Sequence, residues 1–369
     1  FKKNIYLGSY IPINNFEKLK FFFSYTFKGY SIHLNNHYFF DKRIYLNQIK
    51  TIQSLIYKIH NYFNLKDKKK AFNEIDFFLK CIMQNSKTKS KEYDAIVTGT
   101  PAKFINRLNL FQGLKKNMNI VFMHSGESGF IKSFPYQFDE RLFGNKIIGH
   151  GPMGLYNKNR MKTLKPLIAK SNYFPAKNYN LNKFNFSEKI LTFNPSQDLN
   201  KKKGLYISSR IKITSITNPY DGIIVPEDYV DWQKFLFKKI NRLTYKLHPK
   251  QLINFKFKDV NFERGSLDKI YQNYDYIIFD YLNSLAFNQI VQTQLPIIYF
   301  NIGLARFSRL GEKYLKKRCF IINVDIFKNY SGFNKVFIKK FHKKNNKFST
   351  LFCGSNEDNN QTDILLKLA

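Results

Sequence analysis

Three short segments in the second half of the chain each combine an apolar run with polar or basic residues at its C-terminal end. They are residues 205–210, 246–250 and 280–284, and the last is followed by a further apolar run at 295–300. Short apolar stretches bounded by turn residues are typical of buried strands in a parallel sheet. In an open α/β sheet, ligands bind at the carboxyl ends of the strands. The pattern therefore predicts a ligand site where these polar residues meet.

Apolar runs of strand length alternate with helical patterns along the whole chain. In the first half we predict strands at 4–8, 94–98, 119–123 and 146–148, and helical periodicity at 43–63 and 71–84. In the second half we predict strands at 205–207, 243–247, 276–279, 297–300 and 320–324, and helices at 229–240, 284–293 and 304–315. Such alternation favours parallel sheets that are covered by helices on both faces.

The length of the chain and a polar stretch near its middle predict two domains. With 369 residues, the chain exceeds the size at which a single core normally stops growing. The polar stretch at 194–203 separates two series of strands. The predicted fold class is α/β, with two Rossmann-like doubly wound domains that face a cleft, at residues 1–195 and 196–369.

The chain is strongly basic. It has 61 Lys and Arg against 26 Asp and Glu, a formal net charge of +35 that would attract phosphate polymers, nucleic acid or an anionic membrane. A/T-rich codons can account for the lysines but not for the scarcity of acids, so we favour a genuine preference for anionic surroundings. The lysines are scattered, and no zinc-finger spacing, RNA-binding aromatic motif or compact basic helix is present. We therefore expect no specific nucleic-acid partner, whereas an anionic membrane suits the scatter.

Several familiar sites are missing from the sequence. The three cysteines, Cys81, Cys319 and Cys353, match no metal or redox spacing, and their odd number indicates a reducing compartment. No apolar run is long enough to span a membrane. There is no Walker loop and no Asp-x-Asp pair. We expect no metal and no cofactor, so Lys and Arg must neutralise any ligand phosphates.

Basic residues follow two of the predicted strands. Lys246 and His248 lie at the exit of the second strand, which Pro249 ends because it has no N–H for the ladder. Arg210 lies at the end of the first strand, and its planar guanidinium suits a pyrophosphate. The alternatives to ligand binding are a purely structural role for His248 and a position on the solvent-exposed surface for Arg210. The nearby Lys250 makes a cationic cluster that favours an anionic ligand.

The third segment predicts a strand, a cap and a helix. Asn283 or Ser284 can cap the helix, whose free N–H groups can hold a phosphate. Gln289 follows within the same helix and either reaches a ribose hydroxyl or faces solvent. Taken alone, the segment is an ordinary strand–cap–helix unit.

In the first domain, small and polar residues at 123–129 follow a predicted strand. His124 stands at the strand end and is a candidate general base. Glu127 either orients or tunes that histidine, or caps the next helix. His150, after another strand, is a weaker second candidate.

These segments, in this order, resemble the CDP-glycerol glycerophosphotransferases that build teichoic-acid-like polymers, and related capsule and surface-carbohydrate transferases of the GT-B fold. Residues 205–210 are similar to that family's Leu-Tyr-Ala-Pro-Thr-x-Arg strand, and 246–250 to its basic-x-His segment. Residues 280–300 are similar to its Asp-Tyr-Ser-Ser…Phe-Asp…Pro-Ile-Ile-Phe-Tyr stretch. His124 stands where the family has a Trp-His-Gly base motif.

The resemblance implies metal-independent transfer of a glycerophosphoryl or glycosyl group from a nucleotide-activated donor to an anionic or glycan acceptor of a surface polymer. His124 would deprotonate the acceptor, and Gln289 would lie near the donor ribose. The residues that would hold or stabilise the donor phosphates are Arg210, Lys246, His248, Asn283 and Ser284. A cytidine nucleotide is favoured. The chain has an amide pair, Asn288 and Gln289, where the family carries an acid, which leaves a CMP-sugar or another nucleotide-sugar as an alternative to CDP-glycerol.

The sequence also leads to an expected location in the cell and leaves two alternative functions open. A surface-polymer transferase of this charge is expected in the cytoplasm, held peripherally at the inner membrane by its lysines. Departures from the family pattern at Met123, Leu285 and Asn288 keep open a catalytically inactive scaffold. The third reading is a basic nucleic-acid-binding protein.

Overall fold

A computed structural model describes residues 3–7, 30–34, 94–99, 118–123, 129–131, 144–154, 172–177, 181–209, 224–248, 257, 260–282, 284–338 and 344–368. These residues form two six-stranded sheets in which every strand pairing is parallel. The first sheet contains β1 (Lys3–Leu7), β2 (Tyr30–Leu34), β3 (Ala95–Thr98), β4 (Met118–Phe122), β5 (Lys146–Ile148) and β6 (Asn172–Phe174). The second contains β7 (Gly204–Ile207), β8 (Leu243–Lys246), β9 (Asn261–Glu263), β10 (Tyr276–Phe279), β11 (Ile297–Asn301) and β12 (Phe320–Asn323).

The helices of the described part of the chain lie in its second half. They are α1 (Pro195–Asp198), α2 (Pro226–Lys239), α3 (Leu267–Ile270), α4 (Leu285–Val291), α5 (Arg309–Arg318), α6 (Lys335–Ile338), α7 (Lys347–Cys353) and α8 (Gln361–Leu368).

The second sheet has the strand order of a Rossmann fold. Its order is β9-β8-β7-β10-β11-β12, so the chain starts at the centre, moves outward to one edge and then returns to the other side of its first strand. Numbered from β7, this is the 3-2-1-4-5-6 order of doubly wound sheets. The direction reverses between β7 and β10, which makes the carboxyl ends of these two strands the topological switch point.

Both faces of the second sheet are buried. In β10, Tyr276 and Ile278 face one core, while Ile277 and Phe279 face the other. Helix α2 covers the first face through residues such as Trp232, and helices α4, α5 and α7 cover the second. A strand that is buried on both faces must be apolar at every position, and for this reason the sequence shows a continuous apolar run rather than alternation.

The first sheet has the order β2-β1-β3-β4-β5-β6, which reverses direction between β1 and β3. One of its faces packs against helix α8, whose Ile364 and Leu365 join the core that includes Ile120 and Phe122. The C-terminal helix therefore packs on the sheet formed by the N-terminal half of the chain. The strand orders of the two sheets confirm the predicted fold class of two doubly wound α/β units.

Residues 129–131, which follow β4 in the chain, pack into the second core. Phe130 is fully buried among Phe287, Phe348 and Phe352, with ring centroids 6.1, 5.0 and 5.9 Å away. Its carbonyl oxygen accepts a hydrogen bond from Ser308 N–H at 2.7 Å. Residues 129–131 are thus anchored in the second core.

Each strand predicted from the sequence coincides with an observed one, and the bounds differ by at most one residue. Strands β2, β6 and β9 were not predicted. The helix predicted at 304–315 is wrong at its start, because α5 begins at Arg309. Phe307 pairs with Ile131 in a β-bridge, and the Ser308 hydroxyl accepts the N–H of Gly311 as the helix cap. The helical patterns predicted at 43–63 and 71–84 lie outside the described residues.

Candidate functional site

The carboxyl ends of β7 and β10 lie side by side at the switch point of the second sheet. Ile207 and Phe279 are register partners, so the residues that follow them, Ser208 and Asp280, leave the sheet together. Ile207 is also the partner of Lys246, the last residue of β8. The three segments singled out in the sequence therefore end at one edge of one sheet, where doubly wound proteins bind their ligands.

A buried carboxylate lies beneath this edge. Asp280 is 0% exposed and accepts hydrogen bonds from three side chains: the hydroxyl of Tyr206, the hydroxyl of Tyr229 at 2.9 Å and the indole N–H of Trp232 at 3.0 Å. Burial raises the pKa of the Asp280 carboxyl to about 6, although each of these hydrogen bonds lowers it. Because it is fully enclosed, Asp280 cannot contact a ligand directly, and its influence must pass through its partners.

The partners of Asp280 extend to the loop that leaves β7. The hydroxyl of Tyr229 accepts a hydrogen bond from Ser209 N–H at 3.0 Å, and the hydroxyls of Ser208 and Tyr245 are 2.7 Å apart. Burial raises the pKa of Tyr245 to about 12, so its hydroxyl stays protonated at neutral pH. The loop is therefore held through two consecutive residues.

The segment 280–284 that was singled out in the sequence contains Asp280, but no role was predicted for it. No role was predicted for the tyrosines of this network either. One feature of the sequence could have indicated Asp280: it is an acidic residue that directly follows four apolar residues of a predicted strand. The single tryptophan of the chain, Trp232, was a second residue to consider. The spacing of Tyr206, Tyr229 and Tyr245 along the chain gave no indication that they converge.

Lys246 brings a positive charge to the same edge. It is 8% exposed, and its ammonium donates to the carbonyl oxygen of Leu247 at 3.3 Å. Burial lowers the pKa of Lys246, which its register partner Glu263 partly opposes. The Glu263 carboxylate accepts the N–H of Gly265 at 2.6 Å, and among the described residues no ion pair joins it to Lys246. The Lys246 ammonium, which is little exposed and forms no ion pair with Glu263, is therefore suited to an anionic ligand.

His248 follows two residues after Lys246 and is partly exposed. The structure therefore brings Lys246 and His248 to the edge that the loop after β7 also occupies. Their predicted contact with donor phosphates stays a prediction.

Ser284 caps helix α4, as predicted. Its backbone is extended and its hydroxyl accepts the N–H of Phe287 at 3.2 Å. The helix has seven residues, and Gln289 on it is partly exposed. Asn288, by contrast, is buried and accepts a hydrogen bond from the Cys353 thiol at 3.7 Å. Of these two neighbouring amides, Gln289 is therefore the more exposed.

Four predicted site residues lie outside the described part of the chain: His124, Glu127, Arg210 and Asn283. Among the described residues on either side of His124 and Glu127, Met123 N–H donates to the carbonyl oxygen of Ile148 at 2.9 Å, and Gly129 is buried. His150, the weaker candidate base, is buried at the end of β5.

Within the described ranges, no group of three or more His, Cys, Asp or Glu residues is arranged to hold a metal ion. Cys319 and Cys353 are buried thiols that form no disulfide, and burial raises the pKa of Cys319 to about 11. None of the described helices is long and apolar enough to span a membrane.

No protein-family model matches this sequence, and the comparison with curated proteins found no match. Among solved structures, the chain is similar to spinosyn rhamnosyltransferase SpnG complexed with spinosyn aglycone, with a TM-score of 0.41, 7% identity and 99% of each chain covered. It is also similar to spinosyn forosaminyltransferase SpnP (TM-score 0.41, 10% identity, covering 100% of this chain and 98% of that chain). A third similar structure is the glycosyltransferase of kitacinnamycin (TM-score 0.37, 7% identity, 99% and 97% covered). The fold assignment rests on the two strand orders described above.

Proposed function

We propose that this chain is a transferase that moves a glycosyl or glycerophosphoryl group from a nucleotide-activated donor to a surface-polymer acceptor. The donor binds at the carboxyl edge of the second sheet. The observation that carries this proposal is the reversal of strand order between β7 and β10, at which the loop after β7, the buried Lys246 and the Ser284 cap come to one edge. Sheets with this topology bind nucleotides at that position.

The chemistry of transfer sets two demands on the site. The acceptor hydroxyl must lose a proton as its oxygen attacks the sugar carbon or the phosphorus, and the bond from that atom to the donor nucleotide must break. In the proposal, His124 takes the proton, and the nucleotide leaves with the electron pair of the broken bond. Fixed positive groups that stabilise such a leaving group typically contribute ~10²–10³ in rate each. Lys246, with His248 and Arg210, supplies this stabilisation.

The donor is proposed to be a cytidine nucleotide, and Gln289 is proposed to lie near its ribose. The exposure of Gln289 and the burial of Asn288 support this choice between the two amides. An amide in place of a carboxylate also removes a negative charge from the edge proposed to receive the phosphates, which favours the binding of an anionic donor.

The first experiment is a thermal-shift panel with CMP, CDP-glycerol, CMP-sugars, UDP-sugars and GDP-sugars. A ligand at 100 times its Kd stabilises the folded protein by about 2.7 kcal/mol, which is readily seen. We expect a response to cytidine nucleotides. A flat panel would contradict the proposal and favour the inactive scaffold.

Lys246→Met provides the matched test of the site, with Lys234→Met as control. Methionine has a similar length but no charge, so the ligand-free protein should be as stable as wild type or more stable, because a buried ammonium is costly. Nucleotide affinity should fall about tenfold or more. Lys234 is exposed on α2 and paired with Asp231, so its variant should bind normally. Equal nucleotide affinity in the two variants would exclude Lys246 from the donor site.

A further inference from the structure

Two tyrosine hydroxyls hold consecutive residues of the loop that leaves β7. The hydroxyl of Tyr229, on α2, accepts the N–H of Ser209 at 3.0 Å. The hydroxyl of Tyr245, on β8, lies 2.7 Å from that of Ser208. One contact fixes the backbone and the other fixes a side chain, so the loop loses freedom at two successive positions before any ligand arrives.

Both hydroxyls connect to one buried carboxylate. Tyr229 donates directly to Asp280 at 2.9 Å. Tyr245 reaches the same carboxylate through Gln233 at 3.5 Å, whose amide nitrogen donates to the Tyr206 hydroxyl at 3.2 Å, which in turn donates to Asp280. The network thus ties together α2, β7, β8 and β10 at the carboxyl edge of the sheet.

Stability alone does not require this network. Buried charged groups can often be replaced by apolar groups of similar volume without loss of stability. At the amino end of β10, the buried hydroxyl of Tyr276 is satisfied more simply, by the carbonyl oxygen of Leu199 at 2.7 Å. The costly arrangement lies at the edge where the ligand is proposed to bind.

We propose that Asp280, acting through Tyr229 and Tyr245, is a positioning residue that holds the Ser208–Ser209 loop in the geometry that receives the donor phosphates. This inference rests on the proposed function. A loop that is ordered in advance spares the bound donor the cost of ordering it, so the network strengthens donor binding. None of its members needs to touch the donor.

The test compares Tyr229→Phe with Tyr276→Phe. Each variant keeps its ring and loses one buried hydroxyl: that of Tyr229 bonds to Ser209 N–H and to Asp280, and that of Tyr276 bonds to the carbonyl oxygen of Leu199. A purely structural role predicts a lower Tm in both variants and no change in ligand binding in either. Positioning predicts that only Tyr229→Phe weakens binding of CDP, by about fivefold or more, which corresponds to the net value of one hydrogen bond. Binding is measured by calorimetry well below the Tm of both variants.

A second readout needs no ligand. Hydrogen exchange of the peptide that contains Ser209 should be faster in Tyr229→Phe than in wild type, and unchanged in Tyr276→Phe. Tyr245→Phe is the second variant, because it releases the Ser208 hydroxyl from the other side of the loop. Unchanged exchange and unchanged CDP affinity in both loop variants would overturn the inference.

A double-mutant cycle tests the role of Asp280 itself. If Asp280 acts through Tyr229, the losses of CDP affinity in Tyr229→Phe and Asp280→Asn will be less than additive when the two changes are combined. Additive losses would show that Asp280 does not act through Tyr229. Absence of nucleotide binding to the wild type would overturn the proposed function and this inference together, whereas wild-type binding that survives every variant would overturn the inference alone.

Discussion

At the scale of the residue, Asp280 shows how a single side chain can couple stability to pH. Its folded pKa of about 6 lies above the ~3.9 of an unfolded aspartate, so the folded protein holds this proton more tightly than the unfolded chain does. The contribution to stability is therefore fully present below pH ~4 and is lost as the pH rises through ~6. Its size follows from the shift of roughly two pKa units, about 3 kcal/mol.

We predict that Asp280→Asn removes this pH dependence. The free energy of unfolding of wild type, minus that of the variant, should fall by about 2 kcal/mol between pH 4 and pH 7, since at pH 4 about half of the unfolded aspartate is already ionised. Urea unfolding at a series of pH values measures this difference. Asp231→Asn is the matched control, because it makes the same substitution at an exposed aspartate that pairs with Lys234. A difference that stays constant across the range would contradict the assigned pKa.

At the scale of the element, helix α4 depends on a residue from another helix for its C-terminal end. Arg318, the last residue of α5, is fully buried and donates to the carbonyl oxygens of Val291, Thr293 and Leu295 at 2.7, 3.0 and 3.0 Å. The first of these carbonyl groups belongs to the last residue of α4, which a helix end leaves without an intrahelical partner, and the other two belong to the residues that follow the helix. In the sequence Arg318 follows Lys316 and Lys317 and is indistinguishable from a surface residue.

We predict that Arg318→Met destabilises the protein by at least about 3 kcal/mol, because it leaves several buried carbonyl groups without a donor. Lys316→Met is the control on the same helix. Lys316 is exposed and paired with Glu312, so its loss should change stability by less than about 0.5 kcal/mol. Chemical denaturation of both variants tests the prediction, and equal stabilities would show that Arg318 is not the cap that its contacts indicate.

The difference between local sequence patterns and contacts formed only in the folded chain also explains which elements could be predicted from the sequence. Five of the six strands of the second sheet were predicted to within one residue, because burial on both faces of a sheet favours continuous apolar runs. Strand β9 was missed because its residues, Asn261–Glu263, are partly or largely exposed at the sheet edge and form no such run. The start of α5 was misplaced because Phe307 pairs with Ile131, a contact between residues far apart in the chain.

The residues of the candidate site also fall into those that the sequence pattern could predict and those that it could not. The ends of strands could be predicted, since parallel strands bring their carboxyl ends to one edge, and Lys246, His248 and Ser284 were found in this way. The network around Asp280 could not be predicted, because its members come from four elements and are related only through the folded structure.

At the scale of the whole molecule, the net charge of +35 governs what surfaces the chain approaches. Acceptors of surface polymers are commonly carried on membranes, so an enzyme of the proposed function benefits from residence at an anionic lipid surface. Each basic residue near such a surface contributes about 1 kcal/mol at physiological ionic strength. The attraction extends over a Debye length of about 10 Å at 0.1 M salt and about 3 Å at 1 M, so it should be strongly dependent on salt.

We predict that the protein floats with vesicles of phosphatidylglycerol in 0.1 M salt, remains in solution with vesicles of phosphatidylcholine, and is released from the anionic vesicles at 1 M. Competition with duplex DNA separates this behaviour from the nucleic-acid alternative, since both ligands are anionic and both interactions weaken in salt. A polycation without a specific site should bind DNA no more tightly than polylysine of equal charge does. Tighter, sequence-dependent binding to DNA would favour the alternative. Retention on phosphatidylglycerol at 1 M salt would show that insertion of apolar groups, rather than charge, holds the protein to the membrane.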